Sequence, residues 1–206
     1  TILIDMTTSK PSLANKIANQ ANDNQAHALD APVSGGDVGA KEGTLAIMVG
    51  GKKVIFDQII PLLELMGKNI TYLGPAGSGQ HTKMCNQIHI ASTMIGMFES
   101  ILYAVKAGID PDQMFSVIGK GAARSWSINN LGHRITSGNY GPGFYIKHFV
   151  KDMGIALEEA KRMHLSLPGL GLAYQFYQTA MAQNLENLGT QGLYKILADM
   201  NNISSF

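Results

Sequence analysis

The sequence predicts an α/β portion, a mainly parallel, doubly wound sheet, followed by an all-helical portion built around one long helix. Three observations predict this. Over residues 1–74, short apolar runs alternate with helix-periodic segments, the pattern of strands joined by helical crossovers. From Gly74 onward apolar residues recur at steps of three and four, and strand-like runs do not return. Between the two patterns lies Gly74-Pro75-Ala76-Gly77-Ser78-Gly79, a stretch of chain-breaking residues. The predicted domains are therefore 1–74 and 75–206.

The elements follow in order. Ile2-Leu3-Ile4-Asp5-Met6 is a short apolar strand ending at Thr7-Thr8-Ser9. Ser9 is placed to cap a helix whose first turn tolerates Pro11, and Ala14, Ile17, Ala18 and Ala21 give that helix its apolar face. Residues 27–33 predict a second strand and 44–49 a third, stopped by Gly50-Gly51. Val54, Ile55, Ile59, Leu62, Leu63 and Leu65 mark another helix, and 69–73 a last strand. The sheet is expected to be mainly parallel, with room for an antiparallel edge. Met84, Ile88, Ala91, Ile95, Phe98, Leu102 and Val105 then define the long helix, with Gly108 as its stop. Asp110-Pro111 restarts a helix with a cap and a first-turn proline. Further helices fit residues 126–137, 149–164, 172–185 and 189–200.

Composition excludes several functions. With 206 residues, 16 basic against 15 acidic and a net charge of +1, nothing predicts a nucleic-acid or acidic-membrane partner. The aromatic residues do not alternate with basic clusters, so a base-stacking surface is not expected. The one cysteine, Cys85, cannot form an internal disulfide, which suits a reducing compartment, and it is expected to be a small buried residue. The apolar stretch 88–105 is broken by His89 and Glu99 and is short of the ~20 residues of a bilayer span, so it reads as a buried helix. The chain opens at Thr1 already inside an apolar run, which predicts that a preceding segment belongs to the same domain.

Three segments carry candidate chemistry. Asp30-Ala31-Pro32-Val33-Ser34-Gly35-Gly36 leaves a strand, and two consecutive glycines there let backbone N–H groups converge on an anion such as a carboxylate, with the Ser34 hydroxyl beside them. A plain strand-to-helix turn is the commoner use of such a segment. Gly74-x-x-Gly77-x-Gly79 reverses the order of the dinucleotide fingerprint G-x-G-x-x-G and fits a tight passage into the long helix. Lys83 lies in the first turns of that helix, with Asn86 at i+3 and Gln87 at i+4 on the same face. A lysine withdrawn from water loses preference for its charged form, as proton transfer near neutral pH requires, although most such lysines are solvated charges. Lys151-Asp152 interrupts an apolar helix; neighbours in a helix do not share a face, so the lysine can reach a ligand while the aspartate turns inward. The six histidines show no metal-ligand spacing, and there is no G-x-S-x-G elbow.

Taken together, four ordered stretches resemble the β-hydroxyacid dehydrogenase family. They are the run from Asp30 to Gly36, Gly43-Thr44-Leu45-Ala46-Ile47-Met48-Val49-Gly50-Gly51, Gly77-Ser78-Gly79-Gln80-x-x-Lys83-Met84-Cys85-Asn86-Gln87, and Lys151-Asp152-Met153-Gly154-x-Ala156. The match covers essentially the whole chain. It is similar to 3-hydroxyisobutyrate dehydrogenases and to the glyoxylate, succinic-semialdehyde and tartronate-semialdehyde reductases. The resemblance implies the rear of a Rossmann-type domain ahead of an all-helical domain, joined by a long interdomain helix, and NAD or NADP as cofactor. It implies Lys83 as general acid/base. Ser34, Gly35 and Gly36 would hold the carboxylate of a small substrate, with Asn86 and Gln87 orienting it and Phe144 lining the pocket. Thr8 and Lys151 would touch the cofactor and Asp152 would support the site; no metal is implied. It further implies a homodimer or homotetramer in the cytoplasm, or in an organelle matrix if a transit peptide was removed. Two departures stand out. No G-x-G-x-x-G occurs in residues 1–206, so the fragment alone is expected to be inactive. Some relatives carry asparagine four residues after the lysine, where Gln87 stands here; 6-phosphogluconate dehydrogenase has a His-Asn pair that Cys85-Asn86 lacks. A non-catalytic interaction protein on the same fold, or a 6-phosphogluconate dehydrogenase-like enzyme, are the alternatives.

Overall fold

A computed structural model describes all residues, Thr1–Phe206. Strand β1 (Ile2–Asp5) pairs in parallel with β2 (His27–Asp30), and helix α1 (Pro11–Asp23) connects them. Pro11 opens α1 where a missing N–H costs nothing, and Ala14 and Ala21 are buried on its inner face. The helix takes no side-chain cap: Lys10 holds the N-cap position, and the Ser9 hydroxyl donates to Asp5 Oδ2 at 3.2 Å.

The strand expected over 27–33 is two strands, β2 and β3 (Val33–Ser34), broken at Ala31-Pro32. Proline has no N–H to give a ladder, but the Pro32 carbonyl still accepts from Met48 N at 3.0 Å. Both pieces run antiparallel to β4 (Leu45–Gly50), with Asp30 opposite Gly50 and Ser34 opposite Ala46. β4 pairs in parallel with β5 (Gly67–Gly74). The sheet is therefore mixed: the β2–β4 pairing joins the two parallel pairs antiparallel, and β3, at the end of the strand order, is an antiparallel edge strand as expected. The cause is the connection across residues 35–44, which holds only the short helix α2 (Gly36–Glu42). That is less chain than the dozen or so residues a parallel crossover requires.

Helix α3 (Lys53–Leu63) lays Ile55, Phe56, Ile59 and Leu63 onto Leu45, Ile47 and Val49, the inward residues of β4. Leu29 and Ala31 complete this core. At about 1.5–3 kcal/mol for each large aliphatic or aromatic side chain removed from water, it is the main support of the strand ends described below.

The chain forms two compact units, Thr1–Gln87 with Ile155–Leu165, and Ile88–Gly154 with Ser166–Phe206. Helices α4 (Ser78–Lys106) and α7 (Ile146–Arg162) each contribute to both. The second unit also contains α5 (Pro111–Ile118), α6 (His133–Thr136), α8 (Pro168–Ala182) and α9 (Tyr194–Met200). Asp110 caps α5 as predicted, accepting from Asp112 N at 2.9 Å. The helix expected over 126–137 is present, helical from Trp126 to Thr136, with a π-turn at Ile128–Gly132 ahead of α6. Gly132 lies so close to the Phe115 ring that a Cβ there would sit 2.7 Å away. Met94, Met97, Phe98 and Ile101 of α4, Phe149 of α7, Tyr177 of α8 and Tyr194 of α9 are fully buried. Phe149 and Tyr177 meet edge to face at 5.0 Å. By length and composition α4 is the one helix apolar enough to cross a bilayer; Ala91, Met94, Met97, Phe98 and Ile101 are nonetheless buried within protein.

Candidate active site

The first unit gathers its polar residues around the start of α4. Asp30, at the end of β2 and 3% exposed, accepts from the backbone N–H of Gly77 at 2.8 Å and of Gln80 at 2.9 Å. A carboxylate in this position satisfies two N–H groups that a helix start leaves without partners, and bonds of this charged kind are worth on the order of 1.5–3 kcal/mol each. The approach is close. A Cβ on Gly79 would lie 2.3 Å from Met48 O, and one on Gly50 would lie 2.6 Å from Asp30 Oδ1. Only glycine at both positions lets α4 begin directly on the ends of β2 and β4.

Lys83 is one turn beyond Gly79 and only 6% exposed. Gln80 and Gln87 flank it at i−3 and i+4 and are equally withdrawn, at 0% and 2%. A helix that buries an amide, an ammonium and a second amide along one face places hydrogen-bonding groups where packing alone would call for leucine. Asn86 is half-buried and donates from Nδ2 to Gln87 Oε1 at 2.7 Å, so the two amides act as a couple.

The loop after β1 is tied to the same helix. Gln80 Nε2 donates to Thr7 O at 2.8 Å, and Gln80 Oε1 accepts from Ser9 N at 3.0 Å. From the other side Asp5 accepts from Thr7 N at 3.0 Å and from the Thr7 and Ser9 hydroxyls. Thr8, between these anchors, is half-buried.

Ser34, Gly35 and Gly36 form the turn from β3 into α2. Gly35 has φ +136° and Gly36 φ +64°, conformations that side chains resist, and a Cβ on Gly35 would also press on Leu45 Cδ2 at 3.1 Å. This turn and the start of α4 both attach to β4, Ser34 through Ala46 and Gly79 against Met48 O.

The other sequence-predicted residues belong to the second unit. Lys151 Nζ lies 2.9 Å from Asp152 Oδ1, with the lysine half-exposed and the aspartate buried. Adjacent helical residues do not share a face, yet the lysine stem is long enough to fold back onto its neighbour. Phe144 packs edge-on against Phe149 at 6.1 Å. The first unit thus holds Thr8, Ser34, Gly35, Gly36, Lys83, Asn86 and Gln87, and the second holds Phe144, Lys151 and Asp152. Sequence reasoning singled out neither Asp30 nor Gln80 for a role of its own. Each acts through partners some fifty or more residues away, and the only local signal was their place inside the two motifs. Two surface cavities, of about 510 Å³ beside Lys195 and Asp199 and about 230 Å³ beside Asn19 and His27, are lined by none of the site residues.

The residues present fit part of a dinucleotide site. In doubly wound sheets ligands sit beyond the carboxyl ends of parallel strands, and the anchored Thr8 loop occupies that end of β1. The glycine turn for a pyrophosphate is not among residues 1–206.

Comparison with known proteins agrees with this picture. Residues 1–74 match the family model described as the NAD binding domain of 6-phosphogluconate dehydrogenase. Residues 77–197 match the model described as the NAD-binding domain of NADP-dependent 3-hydroxyisobutyrate dehydrogenase. An uncharacterized oxidoreductase of Bacillus subtilis is 60% identical over 94% of this chain and 67% of its own length. The 2-hydroxy-3-oxopropionate reductase of Escherichia coli is 38% identical over 97% of this chain and 68% of its own. A probable mitochondrial 3-hydroxyisobutyrate dehydrogenase-like protein of Arabidopsis thaliana is 49% identical over 98% of this chain, but only 60% of that relative is spanned. The solved 3-hydroxyisobutyrate dehydrogenase of Mycobacterium tuberculosis, in complex with L-serine, superimposes with a TM-score of 0.89 at 29% identity, covering 96% of this chain and 70% of that one.

Proposed function

The chain belongs to the β-hydroxyacid dehydrogenase family of NAD(P)-dependent oxidoreductases, and from that premise we propose that the protein carrying it interconverts a small β-hydroxyacid and its semialdehyde, with Lys83 moving the proton. The observation that carries the reading is the buried ammonium of Lys83 between Gln80 and Gln87, on a helix start clasped by Asp30. The chemistry that NAD or NADP would supply here is hydride transfer. In oxidation Lys83 Nζ accepts the hydroxyl proton; in reduction it gives that proton to the carbonyl oxygen. Ser34 and the N–H groups of Gly35 and Gly36 hold the carboxylate, and the Asn86–Gln87 couple sets the orientation of the reacting carbon. Thr8 and Lys151 meet the cofactor, Asp152 holds Lys151 in place, and Phe144 lines the substrate pocket.

The names of the relatives narrow the substrate class. 3-Hydroxyisobutyrate, 2-hydroxy-3-oxopropionate and 2-(hydroxymethyl)glutarate all bear the reacting alcohol or aldehyde one carbon away from the carbon that carries the acid. We assign the same spacing to the substrate here. A homodimer or homotetramer is part of the proposal, supported by the apolar side chains left exposed on helices of the second unit, Tyr103 and Val117 among them. So is a cytoplasmic or organelle-matrix location. Lys83→Ala in the whole protein tests the mechanism. Turnover with 3-hydroxyisobutyrate, succinic semialdehyde, glyoxylate and 6-phosphogluconate, followed by NAD(P)H absorbance, is expected to fall ~10²–10⁴-fold on the best of these substrates. Unchanged turnover removes Lys83 from the mechanism, and preference for 6-phosphogluconate removes the small-acid assignment.

A further inference from the structure

We propose that Gln80 is a positioning residue that sets the spacing between the cofactor-side loop at Thr8 and the proton-transfer lysine, because its buried carboxamide grips residues 7 and 9 of that loop one helical turn from Lys83. The inference rests on the reading of Thr8 and Lys83 given above. It goes further by assigning a role to a residue that touches neither reactant.

The geometry is specific to an amide. Thr7 offers a carbonyl and Ser9 an N–H, and Gln80 meets them with Nε2 at 2.8 Å and Oε1 at 3.0 Å. The side chain is wholly buried, so water does not replace it in either bond. Its own backbone is fixed too, since its N–H is held by Asp30 Oδ2 at 2.9 Å. The loop is pinned from its far side by Asp5. Thr8 is thereby bracketed by two immobilised residues whose position is measured from α4. Lys83 is three residues further along the same buried face. Hydride and proton are delivered to the two ends of one carbon–oxygen bond, so the distance between their sources must be held to a fraction of an ångström. An apolar side chain would fill the space but give the part-buried Thr7 carbonyl and Ser9 N–H no partner, leaving the loop unregistered to α4.

The experiment uses the whole protein and compares wild type with Gln80→Met, Gln80→Glu and Lys83→Ala. Gln80→Met is expected to raise the cofactor KM and lower kcat by roughly 10- to 100-fold in all at every pH, while the KM of the hydroxyacid moves by less than about threefold. Gln80→Glu is expected to be pH-dependent. Its neutral carboxylic acid can donate to Thr7 O and accept from Ser9 N, whereas its carboxylate faces the Thr7 carbonyl oxygen with no proton to offer. Its activity relative to wild type should therefore recover as pH falls through the titration of the introduced carboxyl. If Gln80→Met does not fold, as judged by circular dichroism, this acid recovery still decides the matter. A Gln80→Met enzyme within twofold of wild type, or a Gln80→Glu loss that is the same at every pH, overturns the proposal. The lysine variant separates the two levels: unchanged turnover in Lys83→Ala overturns the premise, while lost turnover there beside an unaffected Gln80→Met overturns the role of Gln80 alone.

Discussion

Asp30 is one side chain on which several others depend. Its two carboxylate oxygens accept from Gly77 N, just ahead of α4, and from Gln80 N in its first turn, and the residue is only 3% exposed. Asn at this position keeps one acceptor and turns an NH₂ toward an N–H. The expected cost of Asp30→Asn is about 1–3 kcal/mol in urea unfolding, since one buried donor is left unpaired. A loss below about 0.5 kcal/mol would mean that the clasp is solvated and not structural. At this scale the sequence was legible only where a motif carried the information. Lys83 stood out because a lysine four residues past a glycine follows a family pattern. Asp30 and Gln80 lay inside the quoted motifs without an assigned role, because a hydrogen bond across 50 or 71 residues leaves no trace in local spacing. Likewise the pairing of Lys151 with Asp152 contradicts what helical geometry suggests for neighbours, since a four-carbon stem bends around the helix in a way that spacing rules ignore.

Among the elements, α4 shows how one helix can contain two opposite kinds of glycine. Gly79 is pressed against Met48 O, where a Cβ would sit at 2.3 Å; Gly96 has nothing within 4 Å of an added Cβ. Gly96→Ala should therefore stabilise the protein by about 0.5–1 kcal/mol, the ordinary helix preference of alanine over glycine. Gly79→Ala should destabilise it and lower turnover, because backbone carbonyls cannot yield as a flexible side chain can. Thermal melts of both variants check this, and equal shifts in Tm would show that α4 does not start on β4. Periodicity identified α1 and α3 correctly because each has a one-sided apolar pattern, and α4 because its apolar residues run at steps of three and four over many turns, although they lie on more than one side. It joined β2 to β3 because Pro32, which lacks an N–H, breaks the ladder without interrupting apolar character. It found the helix over 126–137 but not the π-turn within it, which close packing of Gly132 on Phe115 accompanies.

On the scale of the whole molecule, the two units differ in what they bury. The first packs aliphatic strand residues around Leu29, Ile47 and Val49, whereas the second buries phenols. Tyr140, Tyr177 and Tyr194 all lie in the second unit and are at most 8% exposed. Burial pushes each phenol above its ordinary value of 10; Tyr140 reaches about 12, helped by the charge that Tyr194 would carry beside it. The sign of the consequence follows from proton linkage. Between pH 10 and 12 the unfolded chain has released these protons and the folded one retains them, so rising pH favours unfolding. Their contribution to stability is complete below pH 10 and is lost as pH climbs toward 12. An alkaline titration followed at the phenolate absorbance should thus show these three buried tyrosines ionising only together with loss of helical circular dichroism. The helical unit, which holds all three, should melt first, with hydrogen exchange accelerating in α8 and α9 before β4 and β5. Ionisation of Tyr140, Tyr177 and Tyr194 near pH 10, with the dichroism unchanged, would show that these hydroxyls are wet and that the helical unit is not packed around them.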